Sequence, residues 1–437
     1  MQAASVATYH DVTGQAYVWS TVIKVLVVFV AVLVIVALLT LMERKVSAWM
    51  QDRLGPNRVG PGGLLQPAAD GLKNILKEET NPAEANRVFF TLAPMLSITP
   101  AMLTFAVIPF ASPLPIGRYG VVHMILADVP VGILFLLAFS SLGVYGIVIA
   151  GWASFNKYAL LGGLRAGAQM ISYEIALGLS LMSVFMVTGN VSLREVVWKQ
   201  QQMHVWFAIP LAVSFFFFWI SCFAETNRLP FDLPEAESEL VTGYHTEYSA
   251  MKFSMFFIAE YAHVLTVSML MATLFLGGWD IPGWQGDNML GQVGNTWVGH
   301  APSVLITLAT FAMFAIKTFL FILIFMLVRW TVPRFRYDQV MDLGWKIMLP
   351  AALFAVVVTA AAVLALDSFG IPYGPWWALG LAAVNLPMLA VILWVMDRGH
   401  TLVGTGAPDE KRRLAREHAR ARAQSRRVAV GANPSPR

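Results

Sequence analysis

The chain has 437 residues, of which 57% are hydrophobic and only 13% are charged, with a mean hydropathy of +0.64. This composition excludes a water-soluble enzyme and is typical of a polytopic membrane protein. The 30 basic and 26 acidic side chains give a net charge of only +4, so their positions matter more than their sum. The single cysteine, Cys222, excludes an intrachain disulfide framework, an iron–sulfur cluster and a cysteine-based zinc site.

The first apolar segment, 25–42, has 18 residues without a charge, close to the roughly 20 that span a bilayer. The residues before it lack the basic start of a cleavable signal peptide, so we expect it to stay as an anchor. Eight later segments meet the same criterion: 88–108, 121–150, 166–187, 205–224, 253–276, 302–328, 347–366 and 376–396. The sequence therefore predicts an all-α polytopic membrane protein with about nine transmembrane helices in a single transmembrane domain, 19–396.

The basic residues predict the orientation of these spans. Of the 30 lysines and arginines, 25 fall in the loops on the side of Arg44 and in the C-terminal tail, and three fall on the opposite side. By the positive-inside rule, the short N-terminus, 1–18, lies outside the cell membrane and the tail, 397–437, lies in the cytoplasm. The tail resembles a solvated segment near anionic lipid, and without a folded basic module it predicts no nucleic-acid partner.

The first cytoplasmic loop combines a turn with an amphipathic pattern. Four glycines and two prolines lie within residues 53–63, which favours tight turns. Apolar residues then recur at helical spacing and predict an interfacial amphipathic helix at about 64–79. This helix either covers the membrane surface passively or frames the entrance to a site for an amphiphilic ligand.

A second cytoplasmic loop, 225–250, is strongly acidic. It carries six carboxylates and a single arginine between residues 225 and 247. Closely spaced carboxylates raise one another's pKa and so hold protons near neutral pH, as a proton relay requires. The alternative is a solvated acidic face. Under the first hypothesis we expect Glu235, Glu237 and Glu239 to titrate as a group.

Four ionisable residues fall within the predicted spans, namely Asp128, Glu174, Glu260 and Lys317. Charged groups at bilayer depth are costly, so they usually face one another, water or a transport pathway. We favour a functional role for Glu174 and Glu260. Asp128 and Lys317 lie near a membrane–water interface, so their side chains can extend to it. The glycines at 163 and 167 predict close helix packing.

Several kinds of site have no counterpart in the sequence. No glycine-rich phosphate loop follows a strand pattern, which argues against ATP-driven transport and against NADH binding by this chain. No helix carries two histidines spaced to bind haem, no nucleophile elbow is present, and we predict no metal site.

Five motifs, in order, closely resemble the H-type membrane subunits of respiratory complex I, the proton-pumping NADH-quinone oxidoreductase. They lie at 43–45, 55–70, 169–174, 225–239 and 333–339, and the resemblance extends over roughly residues 19–366. It implies a membrane subunit that helps to form the quinone chamber at the junction with the redox arm and couples quinone reduction to proton pumping. The substrate would be menaquinone or ubiquinone, and the other complex I subunits and membrane lipid would be its partners.

The resemblance also implies site residues. The line of acidic residues toward the antiporter-like subunits corresponds to Glu174, Glu225, Glu235, Glu237, Glu239 and Glu260, together with Asp128 and Glu247. Residues near the chamber mouth correspond to Arg44, Lys45, Arg334 and Arg336. FMN and iron–sulfur clusters belong to partner subunits, so this chain is part of the enzyme without carrying electrons. The ninth span and the basic tail go beyond the eight helices common in the family.

Two other classes share these features. A stand-alone secondary transporter would use the buried acids to bind a coupling ion at a broken helix. A membrane component of a related ferredoxin- or hydrogenase-linked proton pump would share the architecture. A transporter should be active alone, whereas a component of complex I should co-purify with many partners.

Overall fold

The computed structural model describes residues 7–10, 13–116, 120–284, 289–293, 296–299 and 303–398. By internal contacts the chain divides into two compact units, Met1–Pro387 and Met388–Arg437. The predicted basic tail from residue 399 onward lies outside the described residues, as do residues 1–6 and 11–12 of the predicted external N-terminus.

Helices dominate the described structure. They are α1 (Gly14–Met50), α2 (Gln66–Leu76), α3 (Arg87–Leu103), α4 (Gly132–Ala153), α5 (Lys157–Thr188), α6 (Leu193–Met203), α7 (Ala212–Glu225), α8 (Glu237–Leu240), α9 (Ala250–Phe275), α10 (Val304–Thr331), α11 (Tyr337–Asp342), α12 (Leu349–Ser368) and α13 (Pro375–Arg398). A π-helical turn, Leu343–Met348, joins α11 to α12. Short 3₁₀ segments lie at Pro61–Gly63, Thr104–Val107 and Gly243–His245.

Within the described residues, eight helices are long and apolar enough to cross a membrane, which confirms the polytopic all-helical class. The predicted span at 205–224 instead forms the 14-residue helix α7, about 21 Å long at 1.5 Å per residue. Its residues are mostly buried against other helices. The helix is therefore surrounded by protein, where a segment shorter than the bilayer core is tolerated.

The predicted start of the third span at residue 121 is wrong. Residues 121–131 form the strand β3 (Val121–Val122) and a loop, and α4 begins at Gly132, two residues after Pro130. Val121, Val122 and Ile125 are buried within the protein, and Lys24 Nζ donates to the carbonyl oxygens of His123 and Ile125 at 3.1 and 3.0 Å. A buried apolar loop and a membrane helix give the same hydropathy signal.

The strands are short and lie outside the spans. A hairpin pairs β2 (Leu114–Pro115) with β3 in antiparallel register. A second sheet has the order β1 (Ala7–His10), β5 (Thr296–Gly299) and β4 (Met289–Val293), and both of its pairings are antiparallel. β1 precedes α1, and the other four strands lie in connections between helices.

Two glycine contacts allow α4 and α5 to pack closely. A Cβ added to Gly163 would lie 3.3 Å from the carbonyl oxygen of Ile147, and one added to Gly167 would lie 3.0 Å from the Val148 side chain. This confirms the packing predicted from the pair of small residues. The long helix α5 is thereby fixed against α4 at one end of the site described below.

The acidic loop is fixed to α5 by one buried amide. Gln169 on α5 is fully buried, and its Nε2 donates to the carbonyl oxygens of Ala224 at 2.7 Å and Phe231 at 2.8 Å. The loop contacts α5 again next to Gly162, where an added Cβ would lie 2.7 Å from the backbone nitrogen of Tyr244. The first part of the loop is therefore packed against the helices.

Candidate functional site

A buried arginine forms the centre of a polar cluster at the end of α7. Arg228 Nη1 donates to both carboxylate oxygens of Glu43, at 3.1 and 2.9 Å. Its Nε lies 2.6 Å from Glu260 Oε1, outside hydrogen-bond geometry but at ion-pair distance. The guanidinium also lies 4.4 Å from the centroid of the Tyr261 ring. One cation thus joins carboxylates from α1 and α9.

Glu43 has further partners and only 8% of its surface is exposed. The Tyr261 hydroxyl donates to Glu43 Oε2 at 2.8 Å, and the guanidinium of Arg329 on α10 makes an ion pair with Oε1. Four segments of the chain therefore meet at a single buried carboxylate. Removal of one member of such a network is destabilising, because it leaves a buried charge without its partner.

The charge on Arg228 is strongly favoured in this setting. Burial alone lowers the pKa of the guanidinium, but the Glu260 carboxylate and Tyr261 outweigh burial and raise the pKa above its ordinary value. An arginine is in any case not deprotonated in proteins. Arg228 is therefore a fixed charge, and any proton held in the cluster must reside on the surrounding acids.

A second buried acid, Glu225, lies at the last position of α7. The Ser140 hydroxyl of α4 donates to Glu225 Oε1, and His263 Nε2 of α9 lies 3.4 Å from the same oxygen. The Glu225 carboxylate also acts electrostatically on Glu174 of α5, which is half-buried. The structure therefore brings together two of the sequence-predicted acids and adds a histidine that the sequence did not indicate.

A cavity connects these groups. Water centres can occupy about 60 Å³ of it, enough for a few water molecules at roughly 10–15 Å³ each. Its ionisable and hydroxyl-bearing lining residues include Thr104, Ser140, Glu225, Glu235, Tyr244, Glu260 and His263. A smaller cavity of about 20 Å³ is lined by Glu43, Arg228, Tyr261 and Arg329, among others. Arg228 contacts acids that line both cavities.

The structure separates the acids of the second loop. Glu235 lines the larger cavity, whereas the Glu239 side chain is 52% exposed and makes an ion pair with Arg165 at 2.6 Å. Glu247 accepts a hydrogen bond from Asn156 Nδ2 at 2.7 Å. The Glu237 side chain lies outside the described residues, so only Glu235 of the three neighbouring glutamates is placed at the cavity.

Two residues beside Glu235, Tyr244 and His245, are buried. Burial, and then the Glu235 carboxylate, raise the pKa of Tyr244 well above its ordinary value. Burial lowers the pKa of His245 to about 4, although its Nδ1 lies 3.9 Å from Glu235 Oε1. The desolvation of the imidazole outweighs an attraction across that distance, so His245 is neutral at pH 7.

The predicted chamber-mouth residues lie in two places. Arg44 makes an ion pair at 2.6 Å with Asp70 of α2, and Lys45 Nζ donates to the Gly62 carbonyl oxygen at 2.6 Å. These contacts attach the glycine-rich turn and α2 to α1. The other two residues, Arg334 and Arg336, follow α10.

Of this second pair, only Arg334 is half-buried. Its Nη2 donates to Asp232 Oδ2 at 2.6 Å, and the neighbouring Phe335 ring lies 5.5 Å from that of Phe231 in the acidic loop. Arg336 is exposed, and its backbone N–H donates to Gln339 Oε1 at 3.0 Å. Arg334 therefore joins the segment after α10 to the acidic loop.

Two predicted residues lie at the other end of the helices. Asp128 was expected within a span, but it lies in the loop before α4 and pairs with Arg194 at 2.5 Å. Lys317 is buried in α10, and its Nζ donates to the carbonyl oxygens of Leu276, Gly278 and Asp280 at 2.6–3.0 Å. These carbonyls follow α9, so Lys317 satisfies groups that the helix end leaves unpaired.

Sequence reasoning missed several members of the cluster. They are Arg228 at its centre, Glu43, Ser140, Asp232, Tyr261, His263 and Arg329. Glu43 and Asp232 belong to the motifs that carry the family resemblance, but each stands near other charged residues at a span end, where charge is ordinary. Within the described part of the chain, no three His, Cys, Asp or Glu residues are grouped in a way that could hold a metal ion.

Comparisons with known proteins agree on one family. Residues 23–360 match the family model described as NADH dehydrogenase. The chain is 48% identical over 342 residues to an NADH-quinone oxidoreductase H chain of Cytophaga hutchinsonii, covering 78% of this chain and 96% of that protein. It is 47% identical over 366 residues to an H chain of the same enzyme from Geobacter metallireducens, covering 81% and 99%. For the H chain of Magnetococcus marinus, identity is 45% over 367 residues, covering 84% and 97%.

Proposed function

The chain belongs to the H-chain family of NADH-quinone oxidoreductase, the membrane subunits of this type in bacterial complex I, and from this membership we propose that it forms part of the quinone chamber and couples quinone reduction to proton pumping. In this proposal the chain lies at the junction with the redox arm in the cell membrane, with its N-terminus outside. Menaquinone or ubiquinone is the substrate. FMN and iron–sulfur clusters belong to partner subunits.

The observation that carries the proposal is the position of Arg228. It pairs with Glu43 at the smaller cavity and with Glu260 at the larger one. Four carboxylates, those of Glu43, Glu225, Glu235 and Glu260, line these cavities, with the two guanidiniums of Arg228 and Arg329 among them. Because acids outnumber arginines in a desolvated site, the cluster favours retention of protons.

This arrangement supports a charge-coupled mechanism. Reduction of a quinone to a quinol consumes two electrons and two protons, so it changes the charge and the proton demand near the headgroup. A change in the charge of the Glu43 carboxylate alters the strength of its ion pair with Arg228. The strength of the ion pair between Arg228 and Glu260 changes in response. Protonation at Glu260 and Glu225 then responds through the water-sized cavity, while Arg228 itself releases no proton.

The first cytoplasmic loop supports an amphiphilic substrate. Three apolar residues of α2, Leu72, Ile75 and Leu76, are exposed, which suits a helix lying at the membrane surface. Arg44 holds this helix through Asp70, and Lys45 holds the glycine-rich turn before it. In the proposal, the apolar face admits an isoprenoid tail and the two cations lie near the entrance.

Part of the acidic loop is held in an unfavourable backbone conformation. Val241, a β-branched residue, has φ of +67° and ψ of −81°. Such residues rarely adopt positive φ, and strain of this kind is concentrated at functional sites. The loop therefore has a local reason to adopt a second arrangement when the charge at Glu235 changes.

The test replaces Arg228 in the assembled complex. Arg228→Gln removes the charge, and Arg228→Lys keeps it without the planar fork that contacts both acids. We expect quinone reduction to fall at least tenfold in Arg228→Gln and less in Arg228→Lys. The matched control is Arg165→Gln, which removes a partly exposed ion pair of small energetic value.

Oxidation of NADH by a water-soluble artificial acceptor serves as the second readout, because it requires the redox arm but not the quinone chamber. The proposal expects this activity to persist in every assembled variant. Normal quinone reduction and normal pumping in assembled Arg228→Gln would contradict the proposal.

A further inference from the structure

A histidine that the coupling mechanism does not use faces one of the buried acids. His263 lies on α9, and its side chain is only 15% exposed. Its Nε2 is 3.4 Å from Glu225 Oε1, is closed to solvent, and has no partner in hydrogen-bond geometry among the described residues. This ring nitrogen therefore has the carboxyl group of Glu225, and not water, as its partner for a proton.

One oxygen of Glu225 contacts two neighbours. The Ser140 hydroxyl donates to Oε1, the same atom that faces His263 Nε2. If the carboxyl group is ionised, Oε1 accepts from both neighbours. If it is protonated, Oε1 still accepts from Ser140 and turns its own O–H toward the imidazole. One proton between Oε1 and Nε2 therefore suits both atoms in either protonation state.

The surroundings favour a shared proton over two separate charges. Glu225 is 7% exposed, and a charge in such a place is unfavourable unless it is paired. A carboxylic acid beside a neutral imidazole carries no net charge, and neither does a carboxylate beside an imidazolium. Imidazole also takes up and releases protons near neutral pH more readily than other side chains. The two groups can therefore hold a proton in a buried site without a further counter-ion.

The other acids of the site surround this pair. Glu260 and His263 are three residues apart on α9, a spacing that places two side chains on one face of a helix, and both line the larger cavity together with Glu225. Glu235 of the acidic loop lines the same cavity, and Glu174 of α5 interacts electrostatically with Glu225. Loss or gain of a proton at Glu260 therefore acts on His263 from one helical turn away.

A second histidine beside an acid shows a different arrangement. His245 Nδ1 lies 3.9 Å from Glu235 Oε1, and its ring lies against the rings of Tyr244 and Phe253. Burial among these groups lowers the pKa of His245 to about 4, so it stays neutral at pH 7. His263 lies nearer to its acid, and a hydroxyl group contacts the same carboxyl oxygen. Of these two histidines, His263 is the one placed to exchange a proton.

We propose that Glu225 and His263 share one proton beside the larger cavity, an inference that rests on the proposed function because the shared proton matters only where proton transfer is coupled to quinone reduction. In one form the Glu225 carboxyl O–H points to the Nε2 lone pair of a neutral imidazole. Transfer breaks the Oε1–H bond, forms an Nε2–H bond and leaves a carboxylate beside an imidazolium. A negative charge on Glu260 favours the imidazolium form.

The test replaces His263 in the assembled complex. His263→Gln keeps an amide that can donate to Glu225 but cannot take up a proton at neutral pH. The control, His204→Asn, removes an exposed imidazole at the end of α6, where the left-handed backbone tolerates asparagine. Proton pumping per quinone reduced should fall about threefold in His263→Gln alone, because Glu225 then has no base with which to share its proton.

Infrared difference spectra of complexes with ring-labelled histidine separate proton exchange from a structural role. We expect quinone reduction to change the histidine bands in wild type and in His204→Asn, and this change to be lost in His263→Gln. A fall in pumping without any histidine signal in wild type would overturn the inference. Normal pumping and unchanged histidine bands in assembled His263→Gln would also overturn it.

Ser140→Ala keeps the inference testable if His263→Gln fails to assemble. A carboxylate that loses a hydrogen-bond donor binds a proton more readily, so the shared proton should stay with Glu225 and the imidazolium bands should weaken. Unchanged histidine bands in assembled Ser140→Ala would contradict the inference. The proposed function would still stand if wild type pumps protons and Arg228→Gln is impaired, whereas absence of quinone-linked pumping from wild type would overturn both.

Discussion

The Tyr261 hydroxyl donates a 2.8 Å hydrogen bond to Glu43, although 218 positions separate the two residues in the sequence. The bond joins α9 to the C-terminal part of α1, and the same tyrosine ring lies against the Arg228 guanidinium. Tyr261 therefore positions both the carboxylate and the guanidinium at the smaller cavity. This geometry distinguishes it from the other buried tyrosines.

Tyr261→Phe should impair quinone reduction and reduce stability. A hydrogen bond to a charged group contributes about 1.5–3 kcal/mol, and its loss leaves a buried carboxylate less well paired. The matched control is Tyr248→Phe, because the buried Tyr248 hydroxyl has no hydrogen-bond partner among the described residues. Thermal stability and NADH–quinone reductase rate of the assembled complex measure both effects. Equal thermal stability and equal reductase rates in the two variants would contradict a role of Tyr261 in the coupling site.

Glu235→Gln should lower proton pumping much more than Glu239→Gln. Glu235 lines the larger cavity, whereas Glu239 is about half exposed and paired with Arg165, an interaction expected to contribute at most about 1 kcal/mol. Pumping and quinone reduction in inverted membrane vesicles give the comparison. Equal losses of proton pumping in the two variants would contradict this prediction. They would favour the hypothesis from the sequence, in which these glutamates titrate as a group whatever their positions in the fold.

His245 should make the fold sensitive to mild acid. Its pKa of about 4 in the folded chain lies below the ordinary 6.5, so the unfolded state binds the proton more readily. Its contribution to stability is complete above pH 6.5 and falls as the pH drops toward 4, by about 2 kcal/mol at pH 5. His245→Asn should flatten the dependence of the melting temperature on pH between about 7 and 5. A profile identical to wild type would show that the imidazole is not neutral in the fold.

The orientation of the chain is open to a direct test. A reporter that fluoresces only in the cytoplasm should be bright when fused after Arg437 and dark when fused after Ser20, because 25 of the 30 basic residues lie on the tail side. Expression of each fusion is checked with an antibody to the reporter. The reverse pattern of fluorescence would invert the predicted topology.

Hydropathy was sufficient to predict most of the membrane domain, because the thickness of the bilayer fixes the length of apolar helices. It did not predict that residues 121–131 form a loop, or that the helix within 205–224 is only 14 residues long and packs mostly against other helices. Burial inside the bundle and exposure to lipid select the same residue types.

Site residues could be predicted from the sequence where a charged residue interrupts an apolar segment. Glu174 and Glu260 stood out because they interrupt apolar helices, and the structure places Glu260 beside Arg228. Glu43 was missed because it directly follows the predicted first span and precedes two basic residues, where charged groups are common. Its partner Arg228 is 185 positions away in the sequence, so the spacing of nearby residues gives no sign of this pairing.

The distance in sequence between Glu43 and its partners also bears on biosynthesis. At about 5–20 residues per second, a ribosome needs roughly 10–40 seconds to proceed from Glu43 to Arg228, and longer to reach Arg329. During that interval the carboxylate has none of its eventual cations, so α1 must enter the bilayer with its acidic end still hydrated. The first helix should therefore reach its final depth only after Arg329, on the sixth long apolar helix, Val304–Thr331, has been made.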